Sequence, residues 1–446
     1  FIVRDWKTIF ILFLALFKGK PFLKKNLLQK SDIDVTLLPY NDEVIEYIKN
    51  KRSKDFKVAL VTASHQIFAD KISKHLNLFD YSYGTNHLTN LKGKAKAKFL
   101  FDKFGKNFFY IGNSKSDFEI WKISKKAITF NLSYSLRKKL EKINSNYEHL
   151  NFSKIDFFSY LKAMRPQQWI KNILLFLPII ASHQYDNNFI LKTIVAFIAF
   201  CLMTSSVYLV NDLLDLSDDR KHKQKKNRPF ASGSISILSG SSLMLFLLFI
   251  SLVISASLGL KFLCIIFIYF SIASAYSFFL KQTIVLDMCV LAILYTIRVL
   301  AGGFATNIEV STWLMAFSIF IFFSLASIKR QTEIIATNSI TGKINLRRGY
   351  IKEDLPLITI MGISSGYVSI LVMALYIDSI KVESLYSAPN FLWGVCFILL
   401  FWISRLAIIT HRGLMHHDPV AFAVKDKVSV ICLISILLLV FAGKTL

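Results

Sequence analysis

The chain has 446 residues, of which 54% are hydrophobic and 19% charged. Lysine and arginine outnumber aspartate and glutamate by 54 to 29, a net charge of +25. No compact water-facing surface absorbs so much Leu, Ile and Phe, so a soluble globule, a disordered chain, collagen and a coiled coil are excluded, and a polytopic membrane protein with a soluble part remains.

The run from Trp6 to Phe17 is apolar for only about 12 residues, short of the roughly 20 that a membrane helix needs. It is followed by Lys18-Gly19-Lys20 rather than a small-residue cleavage site, and reads as an amphipathic or buried helix. Asp42 to Arg52 reads as a helix, Phe56 to Val61 as a buried strand ending in Thr62-Ala63-Ser64, and Gln66 to Leu76 as a helix. A second strand, Phe108 to Ile111, ends in Gly112-Asn113-Ser114. A helix through Asp117 to Lys125 and a third strand, Ala127 to Phe130, follow. This alternation predicts a parallel α/β sheet whose site lies at the strand C-termini, in a soluble domain over 1–150.

From Trp169 onward, about nine apolar segments follow one another, near 169–184, 189–210, 238–258, 260–280, 283–303, 311–328, 356–377, 390–410 and 427–443. Their loops alternate in charge. Arg220 to Arg228, Lys281, Lys329 to Lys352 and Arg412 to Lys427 are basic, and the other set is poor in Lys and Arg. That alternation fits nine spans over 151–446, with a cytoplasmic N-terminal domain and the C-terminus on the outer side. Cys201, Cys264, Cys289, Cys396 and Cys432 sit singly in apolar runs and form no metal or disulfide framework.

Chemistry concentrates after the second segment, in Asn211-Asp212-x-x-Asp215-x-x-x-Asp219. Spacings of three and four place the carboxylates on one helix face. Clustered carboxylates are costly near a membrane and make sense around a divalent cation such as Mg²⁺, although a solvated acidic helix end is the plainer alternative. Lys221, Lys225 and Arg228 follow, with Pro229 and Ser232-Gly233, a basic loop fit to hold a metal–diphosphate or simply to anchor topology. Before the first segment stands Arg165-Pro166-Gln167-Gln168-Trp169-Ile170-Lys171-Asn172.

Together these motifs resemble the UbiA superfamily of intramembrane prenyltransferases, and within it the decaprenyl-phosphate phosphoribosyltransferase branch. The resemblance runs over about 160–446, through Tyr276-Ser277 with Lys281, Arg298 to Gly302, Lys329-Arg330 with Glu333, Arg348-Gly349-Tyr350, and Asp418-Pro419 with Asp426. It implies an all-α bundle and Mg²⁺ held by Asp212, Asp215 and Asp219. Substrate contacts are expected at Asn211, Arg165, Lys171, Asn172, Lys221, Lys225, Arg228, Tyr276, Lys281, Asp287, Arg298, Lys329 and Arg330. Of the superfamily's second Asp-x-x-x-Asp motif, Asp287 is present and Leu291 takes the other place, which disfavours an ordinary aromatic prenyltransferase. The implied reaction moves 5-phosphoribosyl from phosphoribosyl diphosphate to a polyprenyl phosphate for cell-envelope glycan synthesis. The alternatives are prenyl transfer to an aromatic acceptor and, more distantly, a transporter, for which no internal repeat is visible.

In the N-terminal part, Thr62, Lys96 in a Gly-x-x-Lys context, Asn113 and Asp117 resemble motifs two to four of haloacid dehalogenase-like (HAD) phosphohydrolases. A strand-end Thr is more often a plain helix cap. Lys92 and Lys94 rival Lys96. Asn113 stands where an acid is usual, and Asp32-Ile33-Asp34 has the letters of the nucleophile motif without a strand before it. Starting on Phe1, the chain reads as beginning after the true motif, so this Rossmannoid domain is expected to be inactive as it stands. The expected setting is a bacterial inner membrane, with bilayer and lipid phosphate as partners, oligomer formation left open and no nucleic acid.

Overall fold

The computed structural model describes residues 34–86, 90–150, 157–222, 224–341, 349–415 and 418–445. The apolar run Trp6 to Phe17, Asp32, Ile33, Lys223 and Arg348 lie outside them. The chain divides into two compact units. One comprises 1–160 and 215–236, the other 161–214 and 237–446.

The first unit is α/β. Helix α1 (Asp42–Arg52) is capped by Asn41, whose side chain accepts from the Val44 amide. Strand β1 (Ala59–His65), α2 (Gln66–Leu76), β2 (Tyr81–Thr85), α3 (Lys94–Phe104), β3 (Phe109–Gly112), α4 (Phe118–Trp121), β4 (Lys126–Phe130), α5 (Tyr134–Glu141) and β5 (Tyr147–Leu150) follow. The expected single sheet is two: β1 pairs with β2, while β3, β4 and β5 form a separate sheet, and every pairing is parallel. Strands β2 and β5 escape a pattern reading because Tyr-Ser-Tyr-Gly-Thr and Tyr-Glu-His-Leu lack a continuous apolar run. Asp34, in the decoy Asp-x-Asp, caps a 3-10 turn by accepting from the Thr36 amide.

The second unit is helical. Among the described residues, eight of its helices are long and apolar enough to cross a membrane. They are α6 (Asn187–Leu214), α7 (Ile237–Ser257), α8 (Leu260–Phe278), α9 (Leu286–Thr306), α10 (Thr312–Thr341), α11 (Leu355–Ile377), α12 (Trp393–His411) and α13 (Lys427–Thr445). Leu238, Phe249 and Phe397 stand exposed on these helices, as lipid-facing residues do. The core runs through Phe200, Phe262 and Tyr269, whose rings meet edge-on or tilted. Two buried hydroxyls tie neighbouring helices: Ser251 donates to the Ala199 carbonyl and Ser206 to that of Met244.

The expected first span, 169–184, is not one such helix. Residues Pro166–Phe176 form a 3-10 helix, and a short α-helix, Leu177–Ser182, follows. A 3-10 helix rises about 2.0 Å per residue, so it covers more length with fewer residues than an α-helix. Its partner surface explains its path. Gly302 on α9 lies so close that a Cβ there would fall 2.1 Å from the Leu175 carbonyl oxygen. Gly302→Ala therefore forces backbone apart and should destabilise the fold by about 1–3 kcal/mol, read from thermal unfolding in detergent.

At the far end, Arg405 grips Asp426 with two bonds of 2.6 and 3.0 Å, and Ser429 adds its amide and hydroxyl. The Arg405 bonds, against a smaller opposing effect of burial, hold the Asp426 carboxyl down at about 2. Its contribution to stability is full above the ordinary carboxylate pKa and is lost as pH falls from about 4 to 2. Arg405→Gln should flatten that acid limb of the unfolding midpoint.

Candidate active site

In the 3-10 helix, side chains three apart share a face. Trp169 donates to Ser205 Oγ at 3.0 Å, and Asn172, one turn on, reaches Thr204 of α6 and accepts from Arg298 Nε of α9 at 2.9 Å. Lys171 points elsewhere: its ammonium lies 2.8 Å from Asp418 Oδ2, and Lys329 of α10 reaches the same oxygen at 3.1 Å. Burial opposes ionisation of Asp418, but Lys329 and Lys171 outweigh it and hold that carboxyl well below the usual carboxylate range. Arg298 also donates to the Leu294 carbonyl and to Tyr269 Oη.

Asp212 is buried in the last turn of α6. A carboxylate there faces the negative end of the helix dipole, so its position costs stability unless a cation answers it. Arg165 does, donating to Asp212 Oδ1 while its guanidinium lies 5.2 Å from the Tyr208 ring centre. Arg165 holds a left-handed backbone, φ +53°, ahead of Pro166. Asn211 sits beside Asp212 on the same turn.

The expectation of three aspartates on one helix face is not met. Helix α6 ends at Leu214, and Asp215 becomes the N-cap of a separate short helix, Leu216–Lys221. Aspartate is a weak interior helix former, which favours a break there. In the first unit, Asp219 is buried and receives Arg228 Nη1 at 2.7 Å, while Lys221 and Lys225 stand exposed. Among the described residues, no three His, Cys, Asp or Glu side chains converge on one metal position. Asp212 and Asp219 nevertheless offer the oxygen donors that Mg²⁺ takes, each beside an arginine with which a divalent ion would compete.

A second polar group ties α8, α9 and α10 together. Arg330 and Asp287 are both fully buried and ion-paired. Arg330 also donates to Glu333 and to Tyr276 Oη at 2.8 Å. Tyr350 donates to Asp287 and accepts from the Val285 amide. Burial, and then the bond to Asp287, push the Tyr350 phenol up. Leu291 packs in an apolar cluster with Met288, Ala326, Ile334, Tyr350 and Ile358. Lys281 lies on the turn between α8 and α9. The sequence signalled Tyr276, Asp287 and Arg330 singly. Their clamp, and the roles of Tyr350, Tyr269 and Asp418, come from contacts across up to 247 positions.

In the N-terminal unit, Lys96 is buried while Lys92 and Lys94 are exposed. Its ammonium lies 2.8 Å from Tyr110 Oη, which donates to Asp117 Oδ1 at 3.0 Å. The amides of Asn113 and Ser114 and the Ser114 hydroxyl converge on Asp117 Oδ2. Burial lowers the Lys96 ammonium, partly offset by Asp117, and raises the Tyr110 phenol. Thr62 stands apart from this network and accepts from the Ser64 amide. Tyr110 was legible only as one of several aromatic strand residues.

The UbiA prenyltransferase family matches residues 173–413. The uncharacterized protein y4nM of Sinorhizobium fredii is 33% identical over 416 residues, covering 93% of this chain and 81% of that protein. A decaprenyl-phosphate phosphoribosyltransferase of Mycolicibacterium smegmatis is 32% identical over 276 residues, covering 60% of this chain and 86% of that enzyme. Among solved structures, a UbiA homolog from Archaeoglobus fulgidus bound to GPP and Mg²⁺ aligns with 64% of this chain and 99% of its own. The TM-score is 0.50 at 14% identity, a likeness of fold. With eight apolar helices enclosing paired arginines, lysines and aspartates, and a family match over more than half its length, the chain is a membrane-embedded transferase belonging to the UbiA prenyltransferase family.

Proposed function

We propose that this transferase moves 5-phosphoribosyl from phosphoribosyl diphosphate to a polyprenyl phosphate. The bond from the ribose anomeric carbon to the diphosphate breaks, a bond from a lipid phosphate oxygen to that carbon forms, and diphosphate leaves. The observation that carries this reading is the concentration of Arg165, Lys171, Arg298 and Lys329 inside the apolar unit, a lining suited to phosphates on both substrates. The similarity to decaprenyl-phosphate phosphoribosyltransferases supports it.

Asp212, Asp215 and Asp219 are the residues that would hold Mg²⁺, which as a Lewis acid neutralises charge on a departing diphosphate. Lys221, Lys225, Arg228 and Lys281 would bind the donor's phosphates, a fixed electrostatic stabilisation. The lipid phosphate is already anionic, so little general-base help is required. For the N-terminal unit, the Lys96–Tyr110–Asp117 network supports a phosphate-handling role of the phosphohydrolase type.

The test uses the detergent-purified chain with Mg²⁺, labelled phosphoribosyl diphosphate and a polyprenyl phosphate. Label should enter the organic phase and stop doing so with EDTA. No transfer, with product formed instead from prenyl diphosphate and an aromatic acid, would overturn the reading in favour of an aromatic prenyltransferase.

A further inference from the structure

Arg298 is the thirteenth residue of α9, roughly 18 Å from the helix start at 1.5 Å per residue. It is 5% exposed, yet no carboxylate lies within 4 Å of it among the described residues. Its guanidinium is met by neutral groups alone: Asn172 Oδ1, the Leu294 carbonyl and Tyr269 Oη. A buried guanidinium in an apolar span is costly when no opposite charge answers it.

The neighbouring charges do not balance it. Arg298 lies 5.4 Å and Lys171 5.5 Å from the centre of the same Tyr295 ring. Lys171 shares its one carboxylate, Asp418, with Lys329. Glu333, the next acid along α10, is bonded to Arg330 instead. Among the described residues, Arg298, Lys171 and Lys329 thus have one carboxylate, Asp418, within ion-pairing distance. Arg165 is outside this count, because Asp212 pairs with it.

We propose that Arg298, Lys171 and Lys329 together form a binding site for a phosphate monoester, with Asp418 as the positioning residue that holds the two lysines. This deepens the reading above by giving one phosphate a place of its own. Tyr269 and Asn172 fix the plane of the guanidinium, so that an anion meets a fork already oriented. Asp418 keeps two ammonium groups together that would otherwise repel.

The test is ligand-dependent thermal unfolding of the purified full chain in detergent, without any sugar diphosphate. The probes are farnesyl phosphate, farnesol and ribose 5-phosphate. Farnesyl phosphate at a hundredfold excess over its Kd should raise the midpoint by about 5 °C, and farnesol should not. Arg298→Gln and Lys171→Met should abolish the rise while still unfolding cooperatively. Should Arg298→Gln not fold, Arg298→Lys keeps the charge but loses the fork, and should weaken the rise at least tenfold in ligand concentration. A rise with ribose 5-phosphate in place of farnesyl phosphate would keep the site and assign it to the sugar's phosphate. An unchanged rise in the Arg298 variants, an equal rise with farnesol, or no rise with either phosphate would overturn the proposal. Because no donor diphosphate is present, loss of the phosphoribosyl reading in the transfer assay would leave this result standing.

Discussion

Asp212→Asn should lower transfer at least about a hundredfold at saturating Mg²⁺ while leaving the unfolding midpoint within a few degrees of the parent. The substitution keeps the size of the side chain and its capacity to accept from Arg165. What it removes is the charge at a buried position in the last turn of α6. That charge sits against the helix dipole, and relief of this local cost offsets part of what is lost when the partly exposed Arg165 gives up its counter-charge. A residue kept for stability would behave in the opposite way, with activity preserved and the midpoint lowered. Initial rates of label transfer, measured beside thermal unfolding of the same preparation, separate the two. Activity within tenfold of the parent would remove Asp212 from the reacting centre.

Asp287→Ala is the second large effect, and here the loss should fall on the fold. The carboxylate is fully buried and takes bonds from Arg330 and Tyr350. Truncation leaves Arg330 buried beside Glu333 and Tyr276 without its closest counter-charge. Breaking a buried ion pair by removing one partner costs about 3–5 kcal/mol. Tyr350→Phe removes one bond to the same carboxylate and the acceptor of the Val285 amide but leaves the charge pair intact, so it should cost about 1–2 kcal/mol. Unfolding of the three proteins in detergent, with urea or heat, gives the order parent, Tyr350→Phe, Asp287→Ala. Equal stabilities would mean that water or lipid headgroups already solvate Arg330, and that the clamp contributes nothing.

The long apolar helices were the most legible part of the chain. Segments such as 238–258 and 260–280 match α7 and α8 within a few residues, because a bilayer leaves a run of about 20 apolar residues no structure but a helix. Helices α1 and α2 were legible at both ends for a local reason, since capping and apolar spacing lie within one turn. The same logic failed at 169–184. Hydropathy reports burial, and it is the close approach of Leu175 to Gly302, 127 positions away, that accompanies the tight 3-10 path. Strands β2 and β5 were invisible because a short, half-polar strand is defined by its neighbour in the sheet.

The site divides along the same line. The sequence by itself determined which residues carry charge inside an apolar chain: Asp212, Asp287, Arg298, Lys329 and Arg330 are conspicuous because such groups are expensive there. Only the tertiary structure decided their pairing. It joined Arg165 to Asp212, closed Arg330 on Asp287, set Lys171 and Lys329 on one oxygen of Asp418, and left Arg298 among neutral groups. Residue type fixes which positions carry charge. Which charge is neutralised and which is left to meet a substrate depends on helices far apart in the chain, and that is settled only when they pack.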